Sequence, residues 1–193
     1  MMNAKLKLIL LCHQECSVPK LFTVPLTEEG EHLALSDTMS SLHNLPIDEV
    51  YSSPYLYVLQ TIEPYIRNHN KAVRVEYALR EYVSNVGFNL RNRKRIMSNE
   101  WVQHFNIDMS YNSQYDNLLE NEVSVRNRIK EFIEKLYDNT SAVSINEKVV
   151  LLATHKIVIR NILSLYKEQS IDLNDINYGS IYTVDIMTIE KHQ

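Results

Sequence analysis

Glycine is nearly missing from this chain, with three in 193 residues. The Gly-rich loops that cradle nucleotide phosphates need several at fixed offsets, so a P-loop and a dinucleotide-binding fingerprint are both excluded. Cysteine is equally scarce: Cys12 and Cys16 cannot build a disulfide framework, and a reducing, cytoplasmic setting is expected. No run approaches the ~20 apolar residues of a membrane span, so no membrane partner is expected. Lys5-Leu6-Lys7 ahead of residues 8–11 has the flavour of a signal peptide, but the apolar stretch is short and no small-residue cleavage site follows. It reads better as a first strand. Basic charge is also lacking: 20 Lys and Arg against 24 Asp and Glu leave a net −4, with no global attraction to nucleic acid. Any basic patch for a ligand must be local. Internal repeats and low-complexity linkers are absent as well.

What is present is ordinary globular material, 45% hydrophobic and 23% charged, in a length suited to one domain over residues 1–193. Strand and helix patterns alternate. Residues 6–11 form a continuous apolar run, as in a strand buried on both faces. Thr27 is placed to cap a helix with Glu28 and Glu29 in its first turn, and Leu33, Leu35, Met39 and Leu42 carry it towards Asn44. A second short strand covers residues 48–51. Ser53 then reads as a cap, with Pro54 at the first position of a helix ending near Asn68. A third strand at Val73–Val75 leads into Leu79-Arg80-Glu81. Residues 82–120 are polar and aromatic, too long for a plain connection, and predict a partly helical lid insertion. An amphipathic helix over about 122–137 presents Val125, Ile129, Phe132, Ile133 and Leu136 on one face. A strand ending at Thr154, a helix over 157–166 and a strand at 181–186 complete the chain. The expected fold class is α/β: a three-layer αβα sandwich around a mainly parallel central sheet.

Two strands end in a histidine. Residues 6–12 deliver His13 and residues 149–154 deliver His155. Strand ends line the ligand crevice of an open α/β sheet, so both imidazoles can meet there, an arrangement suited to a histidine nucleophile with a histidine partner.

The surrounding segments extend this to a family. Cys12-His13-Gln14-Glu15-Cys16 stands where an Arg-His-Gly-Glu-Thr motif would, and Leu26-Thr27-Glu28-Glu29-Gly30 matches a Leu-Thr-x-x-Gly helix start. Residues 52–61, Ser-Ser-Pro-Tyr-Leu-Tyr-Val-Leu-Gln-Thr, match Ser-Ser-Pro-Leu-x-Arg-Ala-x-Gln-Thr. Leu79-Arg80-Glu81 and Thr154-His155-Lys156-Ile157 supply the Leu-Arg-Glu and Thr-His-Gly-Gly elements. In this order and spacing the chain resembles the histidine phosphatase (phosphoglycerate mutase-like) superfamily over nearly its whole length. The resemblance implies His13 as the nucleophile that becomes phosphohistidine, Glu81 as the general acid and His155 as a donor to the phosphoryl oxygens. It implies no metal and no cofactor, because cationic side chains hold the phosphate.

Those cations are where the chain departs from the pattern. Cys12 and Tyr57 occupy the two arginine positions, and Gln14 and Lys156 replace glycines. Two guanidinium forks that would grip a phosphate bidentately are missing. Replacement donors are Lys156, Arg80, Gln14, Tyr57 and the lid residues Arg91 and Arg93 of the cluster 91–95. The same cluster also suits a solvated lid surface, and Lys156 a solvent-facing lysine. Arg126 and Arg160 lie on helices, where a structural ion pair is as natural as a ligand. A zinc site from Cys12, His13, Cys16 and His155 fits no common structural spacing, and thiol packing is preferred. Cys12 is no phosphatase nucleophile either, since Val18 stands where its arginine would be.

The expected function is hydrolysis of a phosphomonoester through His13, with a small phosphorylated substrate or other anion as partner and a homodimer left open. Mutase chemistry demands more of the missing charge. A pseudo-phosphatase that binds a ligand or a protein is the rival reading, and a phosphodiesterase built on the same histidines is a third.

Overall fold

The computed structural model describes residues 5–18, 21–82, 97–113, 120–142, 147–167 and 171–187. Its centre is a five-stranded sheet of β1 (Lys5–Cys12), β2 (Glu49–Ser52), β3 (Val73–Val75), β4 (Glu147–Thr154) and β5 (Ile181–Ile186) in the order β3-β2-β4-β1-β5. β1, β2, β3 and β4 run parallel, and β5 is antiparallel on the β1 edge. The period-2 alternation of a strand sends neighbouring side chains to opposite faces. Ile9 and Leu11 of β1 accordingly join one core with Val50, Val149, Leu151 and Ala153, under the helix α3 (Leu56–Asn68). Leu6, Leu8, Leu10 and Cys12 join the other with Val150 and Leu152, under α5 (Glu122–Ala142) and α6 (Lys156–Tyr166). The chain is therefore a three-layer αβα sandwich. The face expected on α5 is the buried one, with Val125, Ile129, Phe132, Ile133 and Leu136 all in the core.

Two local expectations are corrected. The helix after Thr27 is capped as foreseen, with Thr27 Oγ1 accepting from the Gly30 amide at 3.0 Å. It does not run evenly to Asn44. α1 (Glu28–Leu33) widens into a π-helical stretch at Ala34–Thr38 before α2 (Met39–Leu42). The wider turn shifts the buried row to Gly30, Ala34, Thr38 and Leu42, a spacing of four, and leaves Leu35 66% exposed. Ser53 is not a helix cap, and Pro54 is not in the helix: α3 begins at Leu56 with Tyr55 as its N-cap. The Ser53 amide instead donates to Ala153 O at 2.9 Å, extending the pairing of β2 with β4 by one residue.

The described part of the expected lid contains α4 (Asn99–His104), whose Trp101 ring stacks on Phe22 at 5.9 Å. The chain that follows is fastened to β3, where the Val73 amide donates to Asn106 O and the Asp108 amide to Val73 O. Residues 83–96 and 114–119, with Arg91 and Arg93, lie outside the described residues.

Candidate active site

The strand register decides what meets at the sheet's C-terminal edge. Cys12 pairs with Thr154 across β1 and β4, and Ser52 with Ala153 across β2 and β4. The next residues, His13, His155 and Ser53, therefore leave three adjacent strands side by side. The His13 amide donates to Thr154 O at 3.0 Å, and the Glu76 amide to Ser52 O at 2.8 Å brings the β3 end alongside. The His13 and His155 ring centroids are 5.3 Å apart.

Each ring is oriented by a specific partner. His13 Nδ1 lies 2.6 Å from Gln14 O, and a carbonyl oxygen can only accept, so Nδ1 carries the proton and Nε2 the lone pair. His155 Nε2 lies 2.8 Å from Ser53 Oγ, while its Nδ1 is 3.4 Å from the Tyr57 hydroxyl and 3.5 Å from Glu81 Oε2. With the Nε2 proton donated to Ser53, Nδ1 accepts from Tyr57; with Nδ1 protonated, the ring pairs with the Glu81 carboxylate. His13, His155, Ser53 and Tyr57 are all buried, whereas the Glu81 side chain stays 21% exposed and forms the open side of the cluster. Tyr57 sits against His13 with centroids 4.5 Å apart. Burial, joined by the nearby Glu81 charge, pushes its phenol well above the ordinary range, so it is a neutral hydroxyl here.

The turn that presents Glu81 is held at every preceding carbonyl. Thr154 Oγ1 donates to Leu79 O at 2.7 Å, Arg128 Nη2 donates to Arg80 O at 2.9 Å, and Arg128 Nη1 donates to Ala78 O. Arg128 and Arg80 share one acceptor, Glu120 Oε1, at 2.6 and 2.7 Å. On the other side Glu76 accepts from the Ala78 amide at 2.7 Å and from Ser113 Oγ at 2.6 Å.

A profile of the histidine phosphatase superfamily (branch 1) matches residues 21–192. The chain belongs to the histidine phosphatase superfamily. No curated protein sequence matches it. Among solved structures it is similar to phosphoglycerate mutase from Bacillus anthracis str. Sterne, at 14% identity, 96% coverage of this chain, 90% of that one and a TM-score of 0.67. It is also similar to the ecdysone phosphate phosphatase of Bombyx mori, at 16% identity, 92% and 88% coverage and a TM-score of 0.63. Mycobacterial glucosyl-3-phosphoglycerate phosphatase follows at 14% identity, 94% and 90% coverage and a TM-score of 0.61. At these identities the likeness is one of fold.

Within this superfamily fold, the residues singled out from sequence separate by position. His13, Glu81, His155 and Tyr57 come together. Lys156 stands near them: its Nζ lies 4.6 Å above the Tyr178 ring, and that ring is 5.3 Å from His13. Arg80 and Gln14 are engaged by neighbouring protein groups. The Arg80 guanidinium pairs with Glu120, and Gln14 donates from Nε2 to Thr38 Oγ1 at 2.9 Å and from its backbone N–H to Thr61 Oγ1 at 3.0 Å. Cys12 is buried in the core beneath α5 and α6. Arg126 and Arg160 lie on α5 and α6, beside a separate cavity of about 830 Å³ whose lining includes Asp172 and Ser164 but not the histidines.

Sequence reasoning missed Ser53, Tyr178 and the Arg128–Glu120 pair. Ser53 lay inside a matched motif, where its cap-like setting masked its use. Gly179 was the available signal for Tyr178. It has φ +70°, donates its amide to Cys12 O and His13 O, and leaves no room for a Cβ, which would fall 2.3 Å from Gln14 Nε2. That turn carries Tyr178 onto His13.

Proposed function

We propose that the chain is a phosphomonoester hydrolase working through a phosphohistidine on His13. The observation that carries this reading is the fixed tautomer of His13, with Nδ1 committed to Gln14 O, beside a His155–Glu81 pair 3.5 Å apart. The Nε2 lone pair attacks phosphorus as the bond from phosphorus to the leaving oxygen breaks, and Glu81 gives that oxygen its proton. Water then attacks the phosphohistidine, Glu81 takes a proton from it, and inorganic phosphate leaves with His13 restored. His155, oriented by Ser53, donates to the phosphoryl oxygens, and Lys156 supplies the nearby positive charge. Each missing arginine costs about 2.7–4 kcal/mol of transition-state stabilisation, so turnover is slow.

One observation favours a second reading, a fold kept for binding. Tyr57 is wholly buried against His13, where the resemblance calls for an arginine that would line an anion pocket. Hydrolysis of an aryl phosphate across about pH 4–8, the range in which histidine titrates, separates the two. Turnover that disappears in His13→Ala supports the hydrolase. Turnover equal in wild type and variant, or none in either, removes it and leaves the binding fold.

A further inference from the structure

We propose that His13, Glu81 and His155 form a binding site for a zinc-class divalent metal ion, and that its occupancy withdraws His13 from phosphoryl transfer. The second half rests on the hydrolase reading above; the first does not.

One nitrogen from each histidine and one oxygen of Glu81 lie within 4.8 Å of one another. Zinc–nitrogen and zinc–oxygen bonds of about 2.0–2.2 Å place tetrahedral donors roughly 3.3 Å apart. The His155 Nδ1–Glu81 Oε2 separation of 3.5 Å already meets that spacing. Two imidazoles and a carboxylate form the three-ligand set of an open zinc site, with the fourth position left to water or a phosphate oxygen.

The outer contacts also suit a metal. A ligating histidine normally donates its other ring N–H to a carbonyl, carboxylate or comparable acceptor, which fixes the ring and its tautomer. His13 does so from Nδ1 to Gln14 O at 2.6 Å, and His155 meets Ser53 Oγ through Nε2 at 2.8 Å. His13 Nε2 and His155 Nδ1, the latter already facing Tyr57 and Glu81, are the nitrogens that would turn to an ion.

Guanidiniums at positions 12 and 57 would repel a dication, but this chain has cysteine and tyrosine there. Arg80 and Arg128 are turned to Glu120. The pocket that lost its anion clamp keeps one nearby cation, the Lys156 ammonium over the Tyr178 ring, and the Glu81 carboxylate at its open side offsets that charge for an incoming dication. The ion and a phosphoryl group need the same Nε2 lone pair, so they exclude one another.

The test uses the whole chain, stripped with a chelator and titrated with Zn2+ by calorimetry and with Co2+ by visible absorption. One equivalent should bind and give ligand-field bands, and both signals should vanish in His155→Ala. Glu81→Gln, at a partly exposed position, provides the same loss where His155→Ala disturbs folding. Ser53→Ala should weaken binding by about 10–100-fold, the usual effect of removing an outer partner. His43 and His69, whose rings pack 5.3 Å apart elsewhere, are the control pair. Binding lost in His43→Ala but kept in His155→Ala overturns the site, and so does no binding at all. Aryl phosphate hydrolysis measured in chelator should stop on adding one equivalent of Zn2+. Full activity with the metal bound overturns the exclusion while leaving the site. An enzyme inactive without metal leaves the binding result standing, so the two readings fail separately.

Discussion

Replacing Glu120 with glutamine should be among the most damaging conservative changes in this protein. The side chain is only 4% exposed, and its Oε1 accepts from Arg80 at 2.7 Å and from Arg128 at 2.6 Å. Arg128 is itself buried, and burial followed by the like charge of Arg80 opposes its protonated form, which Glu120 favours. Glu120→Gln keeps the shape but leaves two guanidiniums facing each other without their shared counter-ion. Breaking a buried ion pair from one side costs about 3–5 kcal/mol. For a chain of this length each kcal/mol moves the midpoint by about 2–4 °C, so the melting temperature should fall by roughly 6–20 °C. Thermal and urea denaturation followed by circular dichroism measure the change. The double variant Glu120→Gln/Arg128→Leu removes one of the stranded cations and should recover part of the loss, with a coupling of about 0.5–3 kcal/mol. A single-variant loss under about 1 kcal/mol, within the range of an exposed pair, would refute the reasoning. So would strict additivity in the double variant.

Other consequences are as direct. Gly179→Ala forces a Cβ to within 2.3 Å of Gln14 Nε2 at a φ of +70° and should destabilise by about 1–3 kcal/mol in urea; an unchanged midpoint contradicts the packing. Tyr57→Arg restores one guanidinium beside His13 and should raise kcat/KM for an aryl phosphate by up to about 10²–10³-fold. A folded variant with no gain counts against the view that the missing arginine limits the rate. Burial pushes Glu49 up, but hydrogen bonds from Lys148 and Arg74 outweigh it and hold its pKa below the ordinary value. A depressed folded pKa gives stability that is present above the unfolded value of about 4.3 and lost as pH falls through the folded one. Glu49→Gln should therefore melt lower than wild type at neutral pH, and the gap should close progressively as pH falls below the unfolded carboxylate value of about 4.3; a gap that does not narrow in acid contradicts the ion pairing.

The layers were legible because each depends on a short-range pattern. The apolar run at residues 6–11 needed cover on both faces, and the spacing of Val125, Ile129, Phe132 and Leu136 defined one helical stripe. The two histidines were legible for the same reason, since each ends an apolar run, and the register Cys12 opposite Thr154 then made them neighbours. What stayed hidden depends on partners distant in the chain. Ser53 followed by Pro54 has the local form of a helix start, and only the approach of His155, 102 residues later, gives its hydroxyl another use. The π-helical stretch at Ala34–Thr38 has no periodic signature, yet it turns Thr38 inward to meet Gln14. Arg128 and Glu120 look like an ordinary i,i+8 surface pair until the turn at Ala78–Arg80 packs over them.

The most direct test of the central claim is to trap the intermediate. Wild type mixed with an aryl phosphate, quenched rapidly in base and digested for mass spectrometry, should carry an acid-labile phosphoryl group on His13. His13→Ala should carry none. Phosphoryl label on another residue, or none at all while product still forms, would contradict a phosphohistidine mechanism at this site.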